Sequence, residues 1–227
     1  MVNGRTALSI YHLLFTIHPF SYLITHHLSL ITLLMTPERW QQIKEIFHSA
    51  VELDPLSPRF SYFWGQILFN IRQYDRAIDQ LRKTLELDPN YVPAHEDLGD
   101  AYEQKGLQRE AVAEWSKALT LRGAGDEASI LERTYAASGF EAAVRALVEA
   151  QLVKLNDRVK HGEYVPAGDY VTAYTRLGDR EQAFARLNKA VQERNGFVFI
   201  VQINPIYDKL RADPRFQDLM RRVGVTP

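Results

Sequence analysis

Residues 59–90 read RFSYFWGQILFNIRQYDRAIDQLRKTLELDPN, and residues 91–123, which follow at once, read YVPAHEDLGDAYEQKGLQREAVAEWSKALTLRG. A shift of 34 residues sets Asp54-Pro55 on Asp88-Pro89, Gly65 on Gly99, Ala77 on Ala111, Leu81 on Trp115 and Leu85 on Leu119. Self-similarity at a fixed period is the mark of stacked repeats. Trp64, Leu68, Leu81 and Leu85 recur at helical three-and-four spacing, as do Leu98, Tyr102, Trp115 and Leu119, so each stretch reads as helix-turn-helix with an apolar stripe. Gly65, Gly99, Ala77 and Ala111 are small where paired helices must approach closely. Pro89 ends a helix, having no amide hydrogen and disfavouring helical geometry in the residue before it.

Gly65, Tyr74, Ala77 and Asp88-Pro89, then Leu98-Gly99, Tyr102, Gly106, Ala111 and Ala118, resemble the tetratricopeptide-repeat (TPR) signature. The resemblance implies an all-α solenoid of antiparallel helix pairs, stacked with a right-handed turn and stabilised by nearest-neighbour packing. Leu177-Gly178-Asp179-Arg180-Glu181-Gln182-Ala183, with Leu187 and Ala190 behind and Tyr170, Ala173 and Tyr174 in front, resembles a further unit. Ser129 to His161 looks like a degenerate one, with Gly139-Phe140 at its turn and an elongated second helix through Ala143, Leu147 and Leu155. The expected division is an apolar segment (1–34), a capping helix (35–57), an array (58–195) in units of about 58–91, 92–124, 125–163 and 164–195, and an irregular C-terminal cap (196–227).

The N-terminal segment differs in kind: Ala7 to Met35 contains no Asp, Glu, Lys or Arg. It is long enough to span a bilayer, although His12, His18, Pro19, His26 and His27 weaken that reading. Translation starting at Met35 is the alternative, with Thr36 as a cap, Pro37 in the first helical turn and Glu38 at the positive end of the helix dipole. The capping helix extends to Leu53, with Phe47 and Ala50 in register with Leu81 and Thr84. At the other end, Phe197-Val198-Phe199-Ile200-Val201 is β-prone, Asn204-Pro205 interrupts it, and Asp213-Pro214 opens a short helix. Residues 177–223 resemble the repeat tail of bacterial signalling proteins with kinase or winged-helix domains, and 35–42 resembles the opening of such serine/threonine kinases. The kinase glycine-rich loop, catalytic loop and metal-binding Asp-Phe-Gly are missing.

A net charge of −1 gives no electrostatic reason to expect a nucleic-acid partner, and zero cysteines exclude thiolate zinc sites and cysteine nucleophiles. His95-Glu96 is a fragment of a zinc helix, and Gly123-Ala124-Gly125 lacks the third glycine of a dinucleotide loop. No cofactor, metal or catalysis is expected. In TPR arrays the first helix of each pair lines the concave face. The resemblance therefore nominates Arg59, Tyr62, Phe63, Gln66, Phe69 and Asn70 from one unit and Glu96, Asp97, Asp100, Glu103 and Gln104 from the next. One side is aromatic and the other acidic. The expected function is a non-catalytic scaffold or adaptor that binds a protein or peptide segment, basic with one or two apolar anchors, in a cytoplasmic bacterial setting. The alternative is an assembly factor tethered to the inner membrane through residues 7–35, and a third reading is an enzyme with an unrecognised site, because absent motifs do not exclude new chemistry.

Overall fold

The computed structural model describes residue 45, residues 47–193 and residues 195–223. The apolar segment, the Met35 start and the beginning of the capping helix lie outside the described residues. The end of that helix, residues 47–53, is present: Ala50 is 3% exposed, and Phe47 and Val51 pack against the core.

Eight helices form the array: α1 (Pro58–Asn70), α2 (Tyr74–Leu87), α3 (Val92–Gln104), α4 (Gln108–Leu121), α5 (Gly125–Ser138), α6 (Phe140–Lys160), α7 (Ala167–Leu177) and α8 (Arg180–Gln192). Each odd helix packs on the even helix after it, and α2·α3, α4·α5 and α6·α7 join successive pairs. This is a TPR-type α-solenoid. Sequence chemistry starts and stops the helices. The Ser57 hydroxyl accepts from the Phe60 amide at 3.4 Å ahead of Pro58, and the Asp179 carboxylate accepts from the Gln182 amide at 3.0 Å to cap α8.

The repeat glycines have two separate duties. A Cβ on Gly65 would lie 2.8 Å from Leu81 Cγ, and one on Gly99 would lie 2.4 Å from Trp115 Cδ1, so these glycines are notches into which the partner helix sets a large apolar residue. Gly106 and Gly178 instead sit in turns at φ +73° and +74°, with open space around them. The same turn after α1 holds Arg72 at φ +63°, a left-handed conformation that a side chain strains.

Two hydrophobic cores result. One runs through α1–α6 and takes in Ala173 of α7. The other joins α7 and α8 to the C-terminal elements α9 (Phe197–Ile203), α10 (Asp208–Arg211) and α11 (Pro214–Arg222). The β-prone reading of 197–201 is corrected here: this run is helical, and among the described residues there is no strand for it to pair with. β-propensity measures fit to a half-buried pleated surface. The surface offered to this run is helical, and Val198, Phe199 and Val201 bury themselves in the second core while Phe197 fills the notch at Gly168, where a Cβ would lie 2.5 Å from its ring. Asn204-Pro205 ends the helix as expected, leading into a 3-10 turn at Pro205–Tyr207.

Gly99→Ala should lower the unfolding free energy by about 1–3 kcal/mol through overpacking and alter the near-UV circular dichroism of Trp115. Gly106→Ala should lower it by about 1–2 kcal/mol through backbone strain alone, with the aromatic spectrum unchanged. Identical near-UV spectra for both variants would show that Trp115 does not fill the notch.

Candidate functional site

The concave-face chemistry is organised by a residue from the far end of the array. Arg176, in the last turn of α7, sets Nη2 2.5 Å from Asp100 Oδ1 and Nη1 2.9 Å from Glu103 Oε2, both on α3. Asp100 and Glu103 are three apart and so share a helix face. The guanidinium also lies 4.8 Å over the Trp115 ring, and the Trp115 indole donates to Asp100 at 3.0 Å. Side-chain exposures of 16% for Arg176 and 14% for Asp100 place the pair well away from bulk water. Burial pushes the Arg176 pKa down, but Asp100 and Glu103 outweigh it and hold the group above its ordinary value. Burial raises the Glu103 carboxyl, an effect that Arg176 opposes.

Two further carboxylates complete the acidic face. Glu96 pairs with Arg122, just past the end of α4, at 2.6 Å; burial raises its pKa and Arg122 pulls it back. Asp97 accepts a hydrogen bond from the Gln66 amide at 3.3 Å and another from the Tyr62 hydroxyl, but no Lys or Arg among the described residues pairs with it. Burial first, then the neighbouring Asp100 and Glu96, push it up to about 7, against the pull of Tyr62 and Gln66. A cavity of about 250 Å³ opens between these groups, with Glu96, Asp97, Asp100, Arg122 and Arg176 on its polar side. Trp115, Leu119, Val144, Leu147 and Val148 supply the apolar side, and Gln151 completes the wall. Three carboxylates set against two guanidiniums, beside an apolar wall, can hold a cationic side chain at the carboxylate side with its hydrocarbon stem buried.

The structure gathers Tyr62, Gln66, Glu96, Asp97, Asp100 and Glu103 on connected helices. The aromatic side is a packed run: Tyr62 lies 5.2 Å from Tyr91 and 5.5 Å from Phe63, Phe63 lies 5.7 Å from Phe47, and Arg59 lies 5.7 Å above Phe63. Phe69 departs from its expected groove position. It is 1% exposed in the first core, packed 5.7 Å from Tyr74, because the α1 stripe turns this position inward. Asn70 and Gln104 are half-buried at the ends of α1 and α3. Arg122, Arg176 and the α6 wall were not among the nominated positions. A signal for Arg176 existed, since aligning Gly178 on Gly106 sets it on Gln104, one of the groove positions. His95 is structural, contacting Glu114 at 2.6 Å and the Pro89 carbonyl at 3.0 Å. Among the described residues no group of three or more His, Cys, Asp or Glu could hold a metal ion, and no helix is long and apolar enough to cross a membrane.

Arg176→Ala would leave two buried carboxylates uncompensated and should cost about 3–5 kcal/mol of stability in chemical denaturation. Arg176→Lys should recover only part of it, because an ammonium cannot both fork between two carboxylates and stack on Trp115. Asp97 gives a pH dependence of defined sign. Its folded pKa of about 7 exceeds the unfolded value, so the folded state holds a proton the unfolded chain has lost. The resulting stabilisation is present at acid pH and disappears as pH rises through about 7. It is on the order of 4 kcal/mol at full extent, at 1.36 kcal/mol per unit. Asp97→Asn should flatten the change in urea midpoint between about pH 5 and pH 8; a slope equal to that of the wild type would show that this carboxylate is not its source.

A family model described as a TPR repeat matches residues 65–106, from the glycine notch of α1 to the turn after α3. Two curated relatives align over longer stretches of the chain. The small glutamine-rich tetratricopeptide repeat-containing protein 2 of Mycosarcoma maydis is 30% identical over 94 residues, 41% of this chain and 26% of the relative. Anaphase-promoting complex subunit 3 of Dictyostelium discoideum is 30% identical over 91 residues, 40% of this chain and 9% of the relative. The matched part thus spans about a quarter of the first relative and under a tenth of the second. Repeat register, helix-pair stacking and these likenesses agree on a TPR-repeat, all-α solenoid protein.

Proposed function

We propose that the chain is a non-catalytic scaffold that holds a protein or peptide segment against its concave face, with a Lys or Arg of that segment entering the cavity beside Asp97. One observation carries the reading. Glu96 is paired with Arg122, and Asp100 and Glu103 share Arg176, whereas Asp97 is the carboxylate of this face that pairs with no Lys or Arg among the described residues. A ligand cation would supply that missing charge, while Leu119, Leu147 and Val148 would cover its stem. Both relatives support a scaffold in kind: one is named for its repeats and the other as a subunit of a complex.

A bacterial regulatory setting rests on residues 35–42 and 177–223 alone, and a membrane tether on the uncharged run 7–35 alone. Fractionation of the native chain into membrane and soluble pools would decide the tether.

A synthetic peptide library with Lys, Arg, Glu or Leu fixed at the centre tests the ligand class. The Lys and Arg pools should bind selectively to the wild-type protein, and Asp97→Asn should weaken them about tenfold, the loss of one charge-assisted contact. Asp97 is the position to vary, since changing Asp100 would release Arg176. Binding should also strengthen as pH rises towards about 7 and then level off, because the cation favours ionised Asp97. Equal binding of the four pools, or an unaffected Asp97→Asn protein, would overturn the basic-ligand reading.

A further inference from the structure

The two hydrophobic cores meet between α6 and α7, where the chain has its longest connection within the array, residues 161–166, against single to four-residue turns elsewhere. That connection includes Gly162 at φ +80° and ends in Pro166. Apolar contact across the boundary is limited to a few residues of α7, with Ala173 counted in the first core and Leu177 packed against it. The Tyr170 hydroxyl of α7 donates to Asn156 of α6 at 2.9 Å, and two ionic ties are added to it. Arg176 reaches back to Asp100 and Glu103, and Asp208 of α10 reaches Arg72 in the α1–α2 turn at 2.7 Å, joining positions 136 apart in sequence. The C-terminal elements therefore reach back to the α1–α2 turn of the first repeat.

The second tie has the character of a clasp rather than a weld. Arg72 and Asp208 are 48% and 49% exposed, the range in which ion pairs are weak and screened by salt. Arg211 also pairs with Asp208, so two guanidiniums share one carboxylate. Arg72 is held in a strained left-handed conformation where the equivalent turns have glycine, and it donates to the Asn70 carbonyl, while the Asn70 side-chain oxygen is buried without a partner.

We propose that the C-terminal body pivots about α7 and residues 161–166, with Arg176 staying seated on Asp100 and Glu103, and that the Arg72–Asp208 ion pair is the clasp whose release lets α9–α11 swing away from the first repeat and widen the concave face to admit a partner segment. The purpose assigned to the opening rests on the groove reading above; the opening itself does not.

The chain has no cysteine, so Lys83→Cys on α2 and Gln217→Cys on α11, both exposed, give a clean donor–acceptor pair for single-molecule energy transfer on the full-length protein. Asp208→Lys should raise the open-to-closed ratio about fivefold, which is what an exposed ion pair at the upper end of its range supplies. Raising NaCl from ~20 mM to ~500 mM should move the wild type the same way by screening the pair. Arg72→Asp should open the protein as Asp208→Lys does, and combining Arg72→Asp with Asp208→Arg should restore the closed population. Unchanged hydrogen exchange in α1–α6 would confirm that each variant remains folded. A transfer efficiency indifferent to salt and to both single substitutions, or a charge swap that fails to restore closure, would overturn the clasp. Failure of the groove reading would appear elsewhere, as loss of basic-peptide selectivity with this opening intact.

Discussion

The Arg176 guanidinium, forked between Asp100 and Glu103 and lying on Trp115, is the contact on which the concave face depends. It joins the fourth helix pair to the second and so fixes how far the superhelix has turned by that point. It also lets α3 carry four carboxylates within eight residues without bulk water around them. The contact needs Trp115 in place, and Trp115 needs the notch at Gly99. A glycine chosen by close helix packing in one pair thereby positions a cation that arrives from two pairs further on. Nearest-neighbour packing builds the solenoid, but the properties of its inner face come from a contact that skips a neighbour.

How much of this could be read in advance follows from the range of each interaction. The notches at Gly65 and Gly99, the stripes through Leu68, Leu81, Leu98 and Trp115, and the Gly139-Phe140 turn with its long following helix were legible because they are local or recur at the repeat period. The helical state of 197–203 was not. Its residues favour pleated surfaces, and only the helical neighbours α7 and α8 decide that no sheet is available. Phe69 misleads for a related reason: a register rule names the groove side of α1 to within one helical step, and that step separates a ligand contact from a core residue.

The acidic side of the groove shows the same limit from the electrostatic direction. In sequence, Glu96, Asp97, Asp100 and Glu103 are equivalent negative charges on one helix, and their sum invites a strongly basic partner. In space, Arg122 pairs with Glu96, Arg176 forks between Asp100 and Glu103, and Asp97 pairs with no Lys or Arg among the described residues. Three of the four carboxylates are thus already engaged by cations of the chain itself. Long-range steering of a polybasic chain would need a charge excess that this surface does not have. On the proposed reading, selectivity would come from fit around one half-buried carboxylate and the apolar wall next to it.

That difference bears on what kind of scaffold this fold makes. A groove whose charges are mostly compensated from within is pre-organised, since its carboxylates are already fixed by Arg122, Arg176, Gln66 and Tyr62 before any ligand arrives. Little ordering remains for a partner to bring about, which favours binding of a short segment with few contacts. The Arg176 contact belongs to that pre-organisation, because Ala173 and Leu177 on either side of it in α7 pack with the first core. Its loss would leave Asp100 and Glu103 without a pairing cation among the described residues, so the arrangement of the acidic face is inseparable from the packing of α7 against the earlier repeats.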